Sequence, residues 1–119
     1  MILADANIWI DFFRRGQLQL RKLLENNQIV MHAHVVAELA LGSLKNRTRV
    51  LAELDNMPAL RTVALPHVRQ MIETRSLYTK GIGLSDAHLV ASCLATPGAL
   101  LWTSDARLGK VAESLGIRK

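Results

Sequence analysis

Apolar residues fall into short unbroken runs separated by stretches of helical spacing. Ile2-Leu3-Ala4 is the first run, and Asp5 stops it. Trp9, Phe12 and Phe13 then recur at helical intervals until Gly16 closes the segment. Leu18 to Glu25 carries Leu20, Leu23 and Leu24 on one face and reads as a second helix. Gln28 to Met31 reads as a strand, His34 to Lys45 as a helix, and Arg47 to Leu54 as a further helix ended near Pro58. In Leu60 to Leu65 the alternation of Val63 and Leu65 predicts a strand. Pro66 suits a first helical turn. The helix is expected to run to about Lys80, with Val68, Met71, Ile72 and Tyr78 inward. Gly81-Ile82-Gly83 is a flexible loop, Ser85 to Ala95 a helix, and Pro97-Gly98 a turn. Ala99 to Trp102 is an apolar strand, Ala106 to Leu115 a helix stopped by Gly116, and Ile117 the start of a last short strand.

Short apolar strands alternating with helices argue a parallel sheet covered on both faces. The expected fold class is therefore α/β, a three-layer α/β/α sandwich with a short central parallel sheet. A length of 119 residues fits one domain, expected over residues 1–119. The 50% apolar content excludes a disordered chain. No apolar run approaches the roughly 20 residues of a membrane span, and the opening has no secretory pattern. A cytoplasmic location is expected. Cys93 is the single cysteine, so neither a disulfide framework nor a cysteine zinc site fits within one chain; it reads as a small buried hydrophobe.

In open parallel sheets, ligands sit beyond the carboxyl ends of the strands. Asp5 follows the first strand, and Asp105 follows the last after Thr103-Ser104. Asp86 opens the helix after the glycine loop, and Glu38 stands in an apolar helix between Val35-Val36-Ala37 and Leu39-Ala40-Leu41. Each has a local role open to it. Asp5 and Asp105 can cap helices, Asp86 can complement a helix dipole after a Ser85 cap, and Glu38 can join a polar stripe with His34 and Lys45. Gathered on one rim they pose a different problem. Two carboxylates about 4 Å apart repel by about 4 kcal/mol at an effective dielectric near 20. A cation offsets that, and oxygen ligands point to a hard ion, Mg²⁺ or Mn²⁺.

The charge balance sharpens the picture. There are 15 Lys+Arg against 10 Asp+Glu, a net charge of +5. An acidic, metal-loaded pocket in a basic surface suits a phosphate-backbone substrate. Arg14, Arg15, Lys45, Arg47 and Lys80 flank the expected rim and are candidate contacts to such a backbone.

These residues resemble the PIN-domain family. Leu3-Ala4-Asp5-Ala6-Asn7 is similar to its first motif, a hydrophobic strand ending in Asp with Ser, Thr or Asn two residues on. Val36-Ala37-Glu38-Leu39 is similar to the acidic second motif, and Leu84-Ser85-Asp86-Ala87-His88 to the third. Leu101-Trp102-Thr103-Ser104-Asp105 resembles the fourth, a strand ending in Thr-x-Asp. One departure is Leu108, where an aromatic often stands. The resemblance covers the whole chain, and its compact size resembles the VapC toxins of bacterial toxin–antitoxin pairs.

The resemblance implies a Mg²⁺- or Mn²⁺-dependent endoribonuclease. Asp5, Glu38, Asp86 and Asp105 are then catalytic and hold the metal, directly or through water; Asn7 and Thr103 hold the carboxylates and water from behind. It also implies a homodimer, held inactive by a VapB-type antitoxin whose C-terminal segment covers the active-site groove. Attack by water needs no 2′-hydroxyl, so products should carry 5′-phosphate and 3′-hydroxyl ends; Asp105 or Glu38 is the candidate for orienting that water.

Other readings fit less well. A phosphotransfer receiver would need a paired acid after the first strand and a Lys after the last, but Ala6 follows Asp5 and Thr103 follows Trp102. A haloacid-type phosphatase would need Asp-x-Asp, and Asp5-Ala6-Asn7 lacks the second acid. The remaining alternative is a non-catalytic RNA-binding or scaffold domain of the same fold. His32, His34 and His88 invite a metal-free acid–base ribonuclease, but no spacing demands it, and they read as packing or surface residues. Trp9, Phe12 and Phe13 read as packing residues rather than base-stacking ones.

Overall fold

Three parallel strands, β1 (Ile2–Ala4), β2 (Ile29–Val30) and β3 (Leu100–Trp102), lie in the order β2-β1-β3 in a computed structural model that describes residues 1–119. Ile2 and Leu3 pair with Ile29 and Val30 on one side. On the other side Ile2, Leu3 and Ala4 pair with Leu100, Leu101 and Trp102. Helices α1 (Ala6–Arg15) and α2 (Leu18–Glu25) join β1 to β2. Helices α3 (Ala33–Ala40), α4 (Arg47–Asp55), α5 (Leu65–Thr74) and α6 (Leu84–Leu94) carry the chain back past β1 to β3, and α7 (Ala106–Ser114) follows. The two connections thus run in opposite directions across the sheet. With the right-handed crossovers that parallel sheets almost always use, they cover opposite faces. This is the expected α/β fold.

The sheet centre is the core. Leu3, Ala4, Leu101, Leu20 and Leu108 are fully buried, with Met31, Val35 and Val90 beside them. Leu108 fills its site with an aliphatic chain. Trp9 is buried and meets Phe12 edge-on at 5.9 Å, while Phe13 remains partly exposed. The trio packs a helix, as expected. Cys93 is buried, which pushes its thiol up to about 12 and leaves it inert.

Three expected elements differ. The strand expected over Leu60 to Leu65 shrinks to a single parallel bridge between Met31 and Ala59. Pro58 offers no N–H to a ladder. Two residues past the bridge, the Arg61 carbonyl accepts from the Ser92 hydroxyl of α6 at 2.9 Å, so a helix side chain takes the place of a neighbouring strand. The helix expected to reach Lys80 stops at Thr74. Ser76 turns left-handed (φ 53°), and the Leu77 N–H returns to the Ile72 carbonyl at 2.9 Å. This is a Schellman closure with Ser where Gly is usual. It buries Leu77 and leaves Tyr78 exposed, reversing the expected inward position of Tyr78. The helix expected to reach Lys45 ends at Ala40, where the Arg47 guanidinium donates to the carbonyls of Ala40 (2.6 Å) and Gly42 (3.2 Å). At the C-terminus, Leu101 bridges Arg118, the short last strand expected from Ile117.

One buried polar chain ties the layers together. His32, fully buried at the head of α3, accepts the His34 N–H on Nδ1 at 3.0 Å. Its Nε2 therefore carries the proton and donates to Ser92 Oγ at 2.8 Å, which donates onward to the Arg61 carbonyl. Burial, then the nearby His34 and His88, push the His32 pKa down from 6.5 to about 4. Protonation would put a second N–H against the His34 amide. The unfolded chain thus takes up this proton at higher pH than the folded one. The contribution is intact above pH 6.5 and is lost as pH falls toward 4, up to about 3 kcal/mol. Urea unfolding of the wild type should show that decline. His32→Gln, which keeps an amide donor toward Ser92, should be less stable at pH 7 but show a shallower decline between pH 6.5 and 4.

Candidate active site

The ladder carries β1 and β3 to the same edge. The Asp5 N–H donates to the Trp102 carbonyl at 2.8 Å, so the residues following the two strands lie side by side. Asp5 is buried, and one carboxylate oxygen accepts the Ala6 N–H at 2.7 Å, capping α1. Its other oxygen accepts the Thr103 hydroxyl at 2.8 Å. The same hydroxyl accepts the Asp105 N–H at 3.0 Å. Asp105 is exposed and caps α7 by accepting the Leu108 N–H at 2.9 Å. The capping roles open to Asp5 and Asp105 are thus both real, and they orient the carboxylates on the rim.

Asp86 lies in the first turn of α6, half-buried. It reaches back to the Gly83 N–H at 3.4 Å, so Gly83 rather than Ser85 is the cap residue. Its pKa is raised, first by burial and then by Asp5, with Asp105 and Glu38 adding to the repulsion and the Gly83 N–H opposing it. All four acids therefore share one field. Glu38 is exposed on α3, at the mouth of a groove shared with Ile10, Phe13, Arg14 and Leu44. It lies one turn beyond His34, whose ring stacks on His88 at 4.3 Å. Burial pushes the His88 pKa down and His34 adds to the shift. The buried His88 Nδ1 has no hydrogen-bond partner.

None of the four acids is ion-paired. The ion pairs are Arg15–Asp11, Arg49–Glu53 and Arg118–Glu113, all at the surface. A chain with 15 basic residues forms no ion pair with any of these four carboxylates. Nor do the oxygens converge: no three His, Cys, Asp or Glu side chains form a ready metal cage. Asp5, Asp86 and Asp105 are each turned toward a backbone N–H instead. The donor set, hard oxygens with excess negative charge and no protein counter-cation, fits a divalent ion.

Thr103 stands where it can hold a carboxylate; Asn7 is exposed and makes no side-chain hydrogen bond. The basic candidates divide. Arg15 pairs with Asp11 at 2.9 Å, and Arg47 closes α3. Arg14 and Lys45 line an apolar-sided groove of about 500 Å³ with Phe13, Leu44 and Val50. Lys80 lies apart, in a different cleft with Arg75, Arg107 and Lys110. The last three were not among the sequence candidates; Arg75 and Lys110 belong to no motif, and Arg107 stands two residues past Asp105.

The model of the PIN domain family matches residues 2–114. Ribonuclease VapC32 of Mycobacterium tuberculosis, in strains CDC 1551 and H37Rv alike, is 37% identical over 117 residues, covering 98% of this chain and 94% of the relative. With a sheet that ends in Asp5 and Asp105 and helices that add Glu38 and Asp86, the chain belongs to the PIN-domain family and, within it, to the VapC-type proteins.

Proposed function

We propose that the chain is a Mg²⁺- or Mn²⁺-dependent endoribonuclease, the toxin of a VapBC-type pair, built as one domain over residues 1–119. The observation that carries this reading is a set of four carboxylates that share one field, none of them ion-paired to a protein cation. Asp5, Glu38, Asp86 and Asp105 would hold the metal directly or through water. Bound there, the ion supplies charge neutralisation at the scissile phosphate and a water of lowered pKa.

The side chains divide the remaining work. Asp5 has a donor on each oxygen and is the fixed point of the site. Thr103 holds it in place and ties it to the start of α7. Glu38 has both oxygens free of protein donors, and Asp86 and Asp105 have one each; Glu38 or Asp105 is the candidate for orienting the attacking water. Attack by water breaks the P–O3′ bond and leaves 5′-phosphate and 3′-hydroxyl ends. Lys80 is the sequence-predicted basic residue best placed to meet RNA. Asn7 would act through water, since it reaches no carboxylate directly.

The groove of Phe13, Leu44 and Val50, with Arg14 and Lys45 at its edge and Glu38 beside it, has the mixed chemistry of a peptide site. We assign it to the C-terminal segment of a VapB-type antitoxin. A homodimer is part of the same reading. No helix is long and apolar enough to cross a membrane.

Four measurements test these assignments. Wild-type protein should cut fluorescent single-stranded RNA in Mg²⁺ and stop in EDTA; binding without metal-dependent cleavage would favour a scaffold. Asp86→Asn should abolish cleavage. It should also raise the melting temperature in EDTA by a few degrees, because it removes one charge from a repelling set, and Mg²⁺ should erase that gain. Thr103→Val removes a donor from a buried carboxylate and should cost about 2 kcal/mol in urea unfolding. It should also slow cleavage in Mg²⁺ by more than tenfold, an amount loss of fold alone does not explain if the variant is still fully folded at the assay temperature. Phe13→Glu should prevent capture of a co-expressed antitoxin while the purified variant still cuts RNA.

A further inference from the structure

A cleft of about 490 Å³ lies between the segment from Arg75 to Lys80 and helix α7. Arg75, Lys80, Arg107 and Lys110 line it, with the hydroxyls of Ser76 and Thr79. No carboxylate lines it, and none of the four cations is ion-paired. All four are exposed. The groove beside Phe13 holds only two cations among apolar side chains, so the two concavities differ in chemistry.

The cleft is shaped by its backbone. Ser76, Thr79 and Gly81 all adopt left-handed φ values, of 53°, 61° and 79°. Thr79 is β-branched, and such a residue rarely takes this conformation; strained positions of this kind are typical of ligand sites. At Gly81 a side chain would collide with Arg107: an added Cβ would lie 2.6 Å from its Cδ and 2.9 Å from a guanidinium nitrogen. The bare glycine therefore lets the Arg107 side chain lie across the loop. That loop leads directly through Gly83 to Asp86, and Arg107 lies two residues after Asp105. The cationic cleft begins where the acidic rim ends.

We propose that this cleft holds the phosphodiester backbone of the substrate strand on one side of the scissile bond, an inference that rests on the ribonuclease reading above. Four unpaired cations and the Ser76 hydroxyl match successive phosphates, while the Thr79 and Ser114 hydroxyls donate to the Tyr78 and Val111 carbonyls. No aromatic lines the cleft, so it grips the backbone and does not read bases.

The probes are fluorescent single-stranded 20-mer oligoribonucleotides of unrelated sequence, titrated in EDTA across a range of KCl concentrations. Arg75→Gln and Lys110→Gln remove charges that make no hydrogen bond, so the fold should persist, which unfolding midpoints check. Each should flatten the log–log salt slope by about 0.7, and the pair by about twice that. The loss should be alike for every sequence, and Arg75→Lys should restore the slope. Wild-type slopes in both single variants and the double would overturn the proposal. So would weakened capture of an acidic antitoxin with RNA binding unchanged, which would assign the cleft to a protein. Cleavage by the wild type in Mg²⁺ separates the two levels: if it cuts RNA while the variants keep the wild-type slope, only the cleft assignment fails. If it neither cuts nor binds, the functional reading fails with it.

Discussion

One hydroxyl couples the two halves of the site. Thr103 donates to Asp5 and accepts from the Asp105 amide, so the end of β1, the end of β3 and the start of α7 share a single atom. This is possible only because β1 and β3 are parallel neighbours in a register that pairs Ala4 with Trp102. A shift of one residue would turn Thr103 to the other face of the sheet. The register in turn depends on Leu3 and Leu101, both fully buried at the centre of the ladder. Packing at the sheet centre thus sets the geometry of chemistry at its edge.

The charge pattern has two layers. The protein carries a net +5, yet none of its four rim acids is ion-paired with a basic residue. A lysine or arginine there would satisfy the carboxylates permanently and leave nothing for an ion to neutralise. The cations stand one step out, and they are not equivalent. Arg15 and Arg47 serve α1 and α3, by an ion pair and a helix closure, whereas the four in the cleft against α7 are free.

Much of this was legible in the sequence, for definite reasons. The first and last strands are short, wholly apolar and stopped by polar residues, and the acids after them fall where parallel sheets place ligands. Helix α2 matched its pattern to the residue, because Leu20, Leu23 and Leu24 leave no second solution. Several failures lie where a side chain outside the element replaces its local signals. Val63 and Leu65 alternate as in a strand, but Ser92, 31 positions beyond Arg61, takes the carbonyl. Ser76 ends α5 in a conformation that usually announces itself by glycine. Arg47 donates to a helix-end carbonyl seven residues before it, so that a residue expected to contact RNA serves the fold. Glu38 stands in an apolar helix, yet it is exposed, because α3 buries only Val35 and Leu39.

Glu38 also shows how the fold tolerates the other three acids. Asp5 and Asp105 cap helices, and Asp86 stands in the first turn of a third. Each sits in the positive end of a helix dipole and accepts a backbone N–H, worth about 0.3–1 kcal/mol at exposed sites and up to about 2 where partly buried. That is less than the roughly 4 kcal/mol by which two carboxylates at about 4 Å repel. The dipoles therefore hold the acids apart on the rim without satisfying them, which accounts for rotamers turned to the backbone rather than to one another. Glu38 comes from the interior of α3, where no amide is free, and water is left to solvate it. Its longer side chain extends from a position where an aspartate would remain closer to the helix backbone. The site is thus three aspartates restrained by helix N-termini and one exposed glutamate with no protein donor, an arrangement that leaves its negative charge without an ion-paired partner in the chain.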